Sequence, residues 1–464
     1  MRTDAQPGRG ATALAVLALA LLAVCLRPAA TSLGPVLAEV EAAFALQGWQ
    51  SGLLTALPGA AFVVFGAISF LLLRRLGLFW SLAICAAAIG TGLGLRVLVD
   101  SWWGFAAFTT LSLAGMAMGN VVLPVFAKAR FPERQAVSVT VFMVGLGLGA
   151  SVPALLTAPL AEHVGGWRLG LGVWAGLPLV ALIAWAALRR LGGVPAASTQ
   201  NRGASGAVGR ITASSGAWIL LLYFGLQSLH AYTHFGWLAR IYRDAGLDPV
   251  AAGAMVAIIV AGGIPGGFIA PQIVVRRWHV RSVLVGYGLI SAVGYTGLLV
   301  APTTTPWLWA ICLAIGGFSF PSALALITAR TRDPEVTARA SGFIQSGGYV
   351  FAALGPLAIG VVLERTGTWT VPLVGLIVLA LAMAVVAWWA SSPDSLDDEV
   401  APDGPPPGES QEAADAKTGG AETSIPEADP ADAEWNNEIH GRAREQRVRD
   451  DARGHPAARA DHRR

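Results

Sequence analysis

Arg27 lies near the middle of a long apolar run, behind Ala23-Val24-Cys25-Leu26 and ahead of Pro28-Ala29-Ala30. Holding an arginine there in hydrocarbon costs at least ~2.5–3.5 kcal/mol, so such a residue faces a cavity or a partner. Either interface is about ten residues away, too far for its side chain to snorkel. A buried ion pair would need a carboxylate at the same depth. Glu39, Glu41, Asp100, Glu162 and Glu364 all fall at the ends of apolar runs instead. A guanidinium facing a wet cavity binds an anion or an electron-rich polar group through its planar fork. A helix–helix hydrogen bond is the alternative use.

Other polar side chains recur at helical spacing inside apolar sequence. Tyr223, Gln227, His230 and His234 are four, three and four residues apart, hence on one helical face. Arg27, Thr31 and Gly34 have the same spacing and predict a matching stripe. Ser341, Gln345 and Tyr349 share a third face, and Asn120 sits in Gly119-Asn120-Val121-Val122-Leu123-Pro124. Both amides can instead bond between helices. Substrate contact is expected from Arg27, Asn120, Gln227, His230, Gln345 and Tyr349, with His234, Tyr223 and Thr31 as proton or cavity groups. His230 and His234 form an i, i+4 pair, but no further ligand cluster accompanies them, so no metal is expected. Their use is polar contact or proton carriage. Cys25, Cys85 and Cys312 lie in apolar runs at no useful spacing. No nucleophile motif or phosphate-binding glycine loop stands out, so neither an enzyme nor a cofactor is expected.

The elements that must position these groups are membrane spans. The chain is 54% hydrophobic and 13% charged, against roughly 25% charged in soluble domains. Twelve apolar runs can each cross ~30 Å of hydrocarbon as a helix. They fall at 11–38, 48–73, 78–98, 102–127, 135–162, 166–189, 215–240, 249–275, 281–301, 305–329, 336–363 and 369–391. Continuous apolar sequence without period-two alternation excludes a transmembrane β-barrel. The loops on one side hold 17 Lys and Arg and those on the other 5. The positive-inside rule puts the richer side and both termini in the cytoplasm of a bacterial-type inner membrane. The net charge of +3 therefore reflects topology and tail, not a nucleic-acid surface. Arg2 and Arg9 before the first run resemble a signal peptide, but eleven further spans argue against one.

A repeat organises these spans. At a constant offset of 202 residues, Arg74-Arg75 answers to Arg276-Arg277, Lys128 to Arg330, Pro132-Glu133 to Pro334-Glu335, Gly165 to Gly367 and Trp167 to Trp369. Two six-helix halves, 1–190 and 215–391, are thus expected around a linker at 191–214, with a disordered tail at 392–464. Halves of one orientation related by an axis along the membrane normal are the parallel repeat of major facilitator transporters, with substrate bound at mid-membrane between them. Small residues should line the moving interfaces, as Gly145, Gly147 and Gly149 do beside Gly347, Gly348 and Gly355. Where the halves disagree, substrate is expected: Arg27 answers to Leu229, Asn120 to Ser322 and Gln345 to Met143.

Leu26-Arg27-Pro28-x4-Leu33-Gly34-Pro35, Gly119-Asn120-x2-Leu123-Pro124, Gly225-Leu226-Gln227-Ser228 and Gly342-Phe343-x-Gln345-Ser346-x-Gly348-Tyr349 carry a resemblance. The chain resembles the cyanate permease and 2-nitroimidazole transporter branch of the major facilitator superfamily over residues 12–390. That resemblance implies an all-α membrane fold and secondary active transport of a small anion or polar solute by alternating access. Protons as coupling ion and a monomeric state are further expectations. The superfamily's Gly-x3-Asp-Arg-x-Gly loop survives only as Arg75-Leu76-Gly77, with Arg74 in place of Asp. A gate at that end would then rest on Arg74, Arg75, Arg276 and Arg277. The competing function is a proton-coupled multidrug exporter of hydrophobic cations, which usually keeps a cavity carboxylate.

Overall fold

The computed structural model describes residues 9–191 and 211–400, and every regular element among them is a helix. Ten of these helical stretches are long and apolar enough to cross a membrane. Two further spans account for the twelve apolar runs. Gly48–Leu95 is continuous over 48 residues except at Gly77, whose φ of 73° breaks the helix between the second and third runs. Only glycine adopts that backbone without a Cβ clash. Ser215–Asp244 is less apolar because it carries the polar stripe, yet its 30 residues extend ~45 Å, enough to cross. The linker at 191–214 lies mostly outside the described residues, as does the tail beyond Val400.

The first span is not one helix. It runs from Arg9 to Cys25, breaks at Leu26-Arg27, resumes over Pro28–Thr31 and tightens to a 3-10 turn at Gly34–Val36. Pro28 explains the break, because proline lacks an N–H and drives the preceding residue out of the α region. Arg27 accordingly has φ −131°. The expected single face of Arg27, Thr31 and Gly34 is therefore interrupted.

Residues up to Ala401 form one compact unit, so the two halves pack as parts of one body. One core is built mainly within the first half, around Leu19, Leu82, Phe126 and Trp185. A second lies within the second half, around Tyr223, Leu284 and Ile344. The third is shared: Leu33, Leu37, Val40 and Leu54 pack with Trp237, Val256 and Ile359 towards the arginine-poor face. Close helix approach there depends on glycine. A Cβ on Gly59 would lie 2.5 Å from Ala353 N, and one on Gly360 would lie 2.4 Å from Gly48 O.

Four charged contacts cross between halves at this face. Arg243 grips both Glu39 oxygens at 2.8 Å, and Arg240 pairs with Glu41. Arg240 is also held by Asp244 at 2.8 Å, and Asp244 accepts from Trp369 at 2.9 Å. Trp49 N donates to Glu364 at 2.8 Å, and Arg243 donates to Pro35 O at 3.1 Å. At the arginine-rich face no ion pair joins the halves among the described residues.

The start of the expected disordered tail is instead structured. Ser392–Ser395 leads into a Leu396–Val400 helix whose Leu396 is fully buried. Glu399 accepts from the Ser214 hydroxyl at 2.8 Å and Gly216 N at 3.0 Å. Asp397 accepts from the backbone N–H groups of Arg332 and Asp333. Arg330 completes this clasp by donating to Asp394 O at 2.9 Å.

Candidate functional site

A cavity of about 420 Å³ lies between the halves. Arg27, Met143, Leu146, Gly147 and Ala150 line it from the first half. From the second half come Gln227, Ser228, His230, Tyr232, His234 and Tyr349, with Ser291, Ser319 and Phe320. The wall continues past Pro271 to Thr328, two residues short of Arg330, so the cavity extends towards the arginine-rich face. Among the described residues, no Asp or Glu lines it.

The broken first span presents Arg27 to this space. The Arg27 carbonyl accepts from Ala30 N at 3.0 Å and from the Thr31 hydroxyl at 3.2 Å, anchoring the new helical turn. Its guanidinium interacts with the Tyr232 hydroxyl and with Tyr349. An aromatic cluster surrounds this point. Phe62 of the first half stacks on Tyr349 at 4.6 Å, while Tyr232 meets both edge-on at 6.3 Å. These rings form a rigid apolar cap beside a fixed positive charge.

The seventh span supplies the facing wall. Gln227, His230 and His234 of the polar stripe line the cavity, and Tyr223 does not. Gln227 Nε2 donates to Ser228 Oγ at 2.6 Å, while its Oε1 is buried without a partner. Both imidazoles meet one phenol: His230 Nδ1 lies 2.9 Å and His234 Nε2 2.8 Å from the Tyr295 hydroxyl.

Several expected site residues lie elsewhere. Asn120 Nδ2 donates to Met116 O at 2.8 Å in its own helix and does not line the cavity. Gln345 sits one turn before Tyr349 and is also absent from the lining. Tyr223 is fully buried in the second half's core, and Thr31 is fully buried with its hydroxyl returned to the backbone. Arg74 stacks over Phe70 at 5.8 Å. Among the described residues, no hydrogen bond or ion pair brings Arg74, Arg75, Arg276 and Arg277 together into a gate.

Three residues with roles at the site escaped the spacing argument. Tyr295 bridges the histidines, Tyr232 meets Arg27, and Arg96 is fully buried with Nη2 3.0 Å from Ser32 Oγ. Ser32 Oγ in turn donates to Pro28 O at 2.6 Å, so Arg96 braces the broken segment. Each breaks the repeat: Tyr295 answers to Leu93, Tyr232 to Ala30 and Arg96 to Leu298. The offset comparison carried that signal.

Comparisons with known proteins agree with this architecture. The chain is 32% identical to a transporter of Bacillus subtilis (strain 168), "Uncharacterized transporter YycB", over 78% of this chain and 89% of that one. It is 30% identical to the 2-nitroimidazole transporter of Escherichia coli (strain K12), over 79% and 92%. The cyanate transport protein CynX of the same organism is 26% identical over 80% and 97%. Among solved structures, an occupied bacterial homologue of the human lysosomal transporter Spinster superposes with TM-score 0.68 at 17% identity, covering 86% of this chain and all of that one. At this identity that match speaks to fold alone. The Major Facilitator Superfamily model matches residues 15–320. With two helical halves around a central cavity and transporters as relatives, the chain is a membrane transporter, not an enzyme, and belongs to the major facilitator superfamily.

Proposed function

We propose that this chain is a secondary active transporter of a small anion or polar planar solute, of cyanate or nitroimidazole type, working by alternating access. The carrying observation is that, among the described residues, Arg27 is the one charged side chain in the cavity's lining, with no carboxylate to oppose it. A cation would meet an uncompensated guanidinium there, which disfavours the multidrug reading. The aromatic cap at Tyr232 and Tyr349 suits a flat, electron-rich cargo. The relatives named for 2-nitroimidazole and cyanate transport are consistent with this class. By its basic loops, the arginine-rich face and both termini lie in the cytoplasm. The ion pairs at the opposite face then close the outer side, and the cavity opens inward. The reading covers a monomer in the inner membrane.

Thermal shift of the purified protein against cyanate, 4-hydroxybenzoate, 2-nitroimidazole and a cationic dye tests it. Wild type should be stabilised by at least one of the first three. Arg27→Ala should bind that ligand at least tenfold more weakly, as loss of a charge-assisted hydrogen bond of about 1.5–3 kcal/mol requires. Arg27→Lys should recover only part, because the bidentate fork is lost. Stabilisation by the dye alone, unchanged in Arg27→Ala, would overturn the proposal.

A further inference from the structure

We propose that His234, Tyr295 and His230 form a proton relay in the cavity wall, so that a proton travels with the anion held at Arg27. A phenol has one proton to donate and can accept from others. His230 Nδ1 and His234 Nε2 both lie within 2.9 Å of the Tyr295 oxygen. With one phenolic proton between two imidazoles, at least one of them must donate its N–H to the Tyr295 oxygen, and in the relay the other accepts the Tyr295 proton. All three groups are almost completely buried, so neither imidazole can exchange this partner for bulk water without a rearrangement.

The transfer balances. A proton joining His234 at Nδ1 releases the Nε2 proton to the Tyr295 oxygen, whose own proton passes to His230 Nδ1. His230 is then the cation, and its Nε2 proton passes to water or to the anion in the cavity that His230 lines. The imidazole also faces the Leu379 carbonyl, and its residue lines the cavity one turn from the unpartnered Gln227 Oε1. The relay thus ends on the cavity wall.

Its surroundings tie the proton to the cargo. Tyr223 and Tyr232 on its own helix, Tyr287 on Val280–Val300, Cys312 on Pro306–Gly316, Tyr349 on Pro334–Thr366 and Arg27 across the cavity are the titratable or charged groups away from the ends of these elements; Arg240, Tyr242, Arg243, Asp244, Arg281, Glu335, Arg339, Glu364 and Arg365 lie in their first or last two turns. Pro249–Ala261, Ser319–Ala329 and Thr370–Ala390 contribute none. Arg27 is the permanent charge among the groups away from the ends, and it repels a proton on either imidazole. An anion on Arg27 removes that repulsion, so each ligand favours the other's binding by the same factor.

This rests on the cavity being the transport path for an anion, and two measurements separate the ideas. The first needs no cargo. In protein carrying ¹³C-labelled histidine, assigned by His230→Gln and His234→Gln, the two imidazole signals should move over one shared pH interval and take up one proton between them. Tyr295→Phe should make them titrate independently. Independent titration in wild type, or coupling that survives Tyr295→Phe, overturns the relay. The second uses proteoliposomes and labelled cyanate or 4-hydroxybenzoate. Tyr295→Phe should still exchange the anion, at a rate that no longer varies with pH, but lose gradient-driven accumulation at least tenfold under an imposed pH difference. Wild-type accumulation by Tyr295→Phe sinks the proposal. Shared titration with no exchange of either anion by wild type would keep the relay and reject the anion reading.

Discussion

Arg27 stands among uncharged neighbours in the cavity lining, and the proposed function rests its selectivity on that one guanidinium. Arg27 is legible in the sequence, since an unpaired cation in hydrocarbon is costly wherever it lies. The amides misled because an amide has two ways to be satisfied. Asn120 returns its N–H to Met116 O one turn back, which spacing cannot reveal. The symmetry counterparts supply gentle tests: Asn120→Ser and Gln345→Met should leave ligand affinity within about twofold, since neither lines the cavity. Titration calorimetry checks this, and a tenfold loss in either variant would place that amide in the site. Tyr232→Phe should weaken anion binding by roughly three- to tenfold, because the hydroxyl that helps hold the Arg27 fork is lost.

At the scale of elements, two irregular segments matter more than the regular helices. Pro28 and Pro35 announce the broken first span in sequence, but the buried brace Arg96–Ser32 that holds it does not, because Arg96 reads as an ordinary loop arginine. The tail clasp was equally hidden. Its charges resemble those of the polar sequence that follows, and only Leu396, fully buried, marks the docking. The clasp is pH-sensitive with a definite sign. Burial alone would raise the Asp397 and Glu399 carboxyls. The N–H groups of Arg332 and Asp333 on Asp397, and of Gly216 with the Ser214 and Ser215 hydroxyls on Glu399, outweigh it and hold both below the usual range. Depressed carboxyls stabilise the docked state above their unfolded values of about 4 and lose that contribution as pH falls through the lower folded values. Hydrogen-exchange protection at residues 394–400, relative to the intrinsic rate at each pH, should therefore be high at pH 7 and fall in acid, and Glu399→Gln should already be less protected at pH 7. Equal protection of Glu399→Gln and wild type at pH 7 would show that the apolar seat of Leu396 alone holds the clasp.

Across the whole molecule, the halves share a core and four charged contacts at the arginine-poor face and part around the cavity towards the other. The repeat predicts the halves and their axis. It is silent on which end closes, because scaffold residues match at both ends, whereas Glu39 and Glu41 answer to Ile241 and Arg243 and so break the symmetry at one. Arg243–Glu39 and Arg240–Glu41 are partly buried, which screens them less than open surface pairs. At about 1 kcal/mol each, the two pairs together favour the closed state by about 2 kcal/mol, roughly 30-fold in population. Thr55 offers a reporter, being buried at this interface against Gly236. Thr55→Cys should be alkylated slowly in the parent protein, where Cys25, Cys85 and Cys312 are all buried. Adding Glu39→Gln and Glu41→Gln should raise the rate by roughly 30-fold, in proportion to the open population. The charge swap Glu39→Arg with Arg243→Glu should bring it back towards the parent rate, which a purely steric closure would not do. An unaltered rate in the double neutral variant would mean that the glycine-lined contacts of Gly48, Gly52 and Gly59 with the Leu357–Gly360 and Ala352–Ala353 segments close this face by themselves.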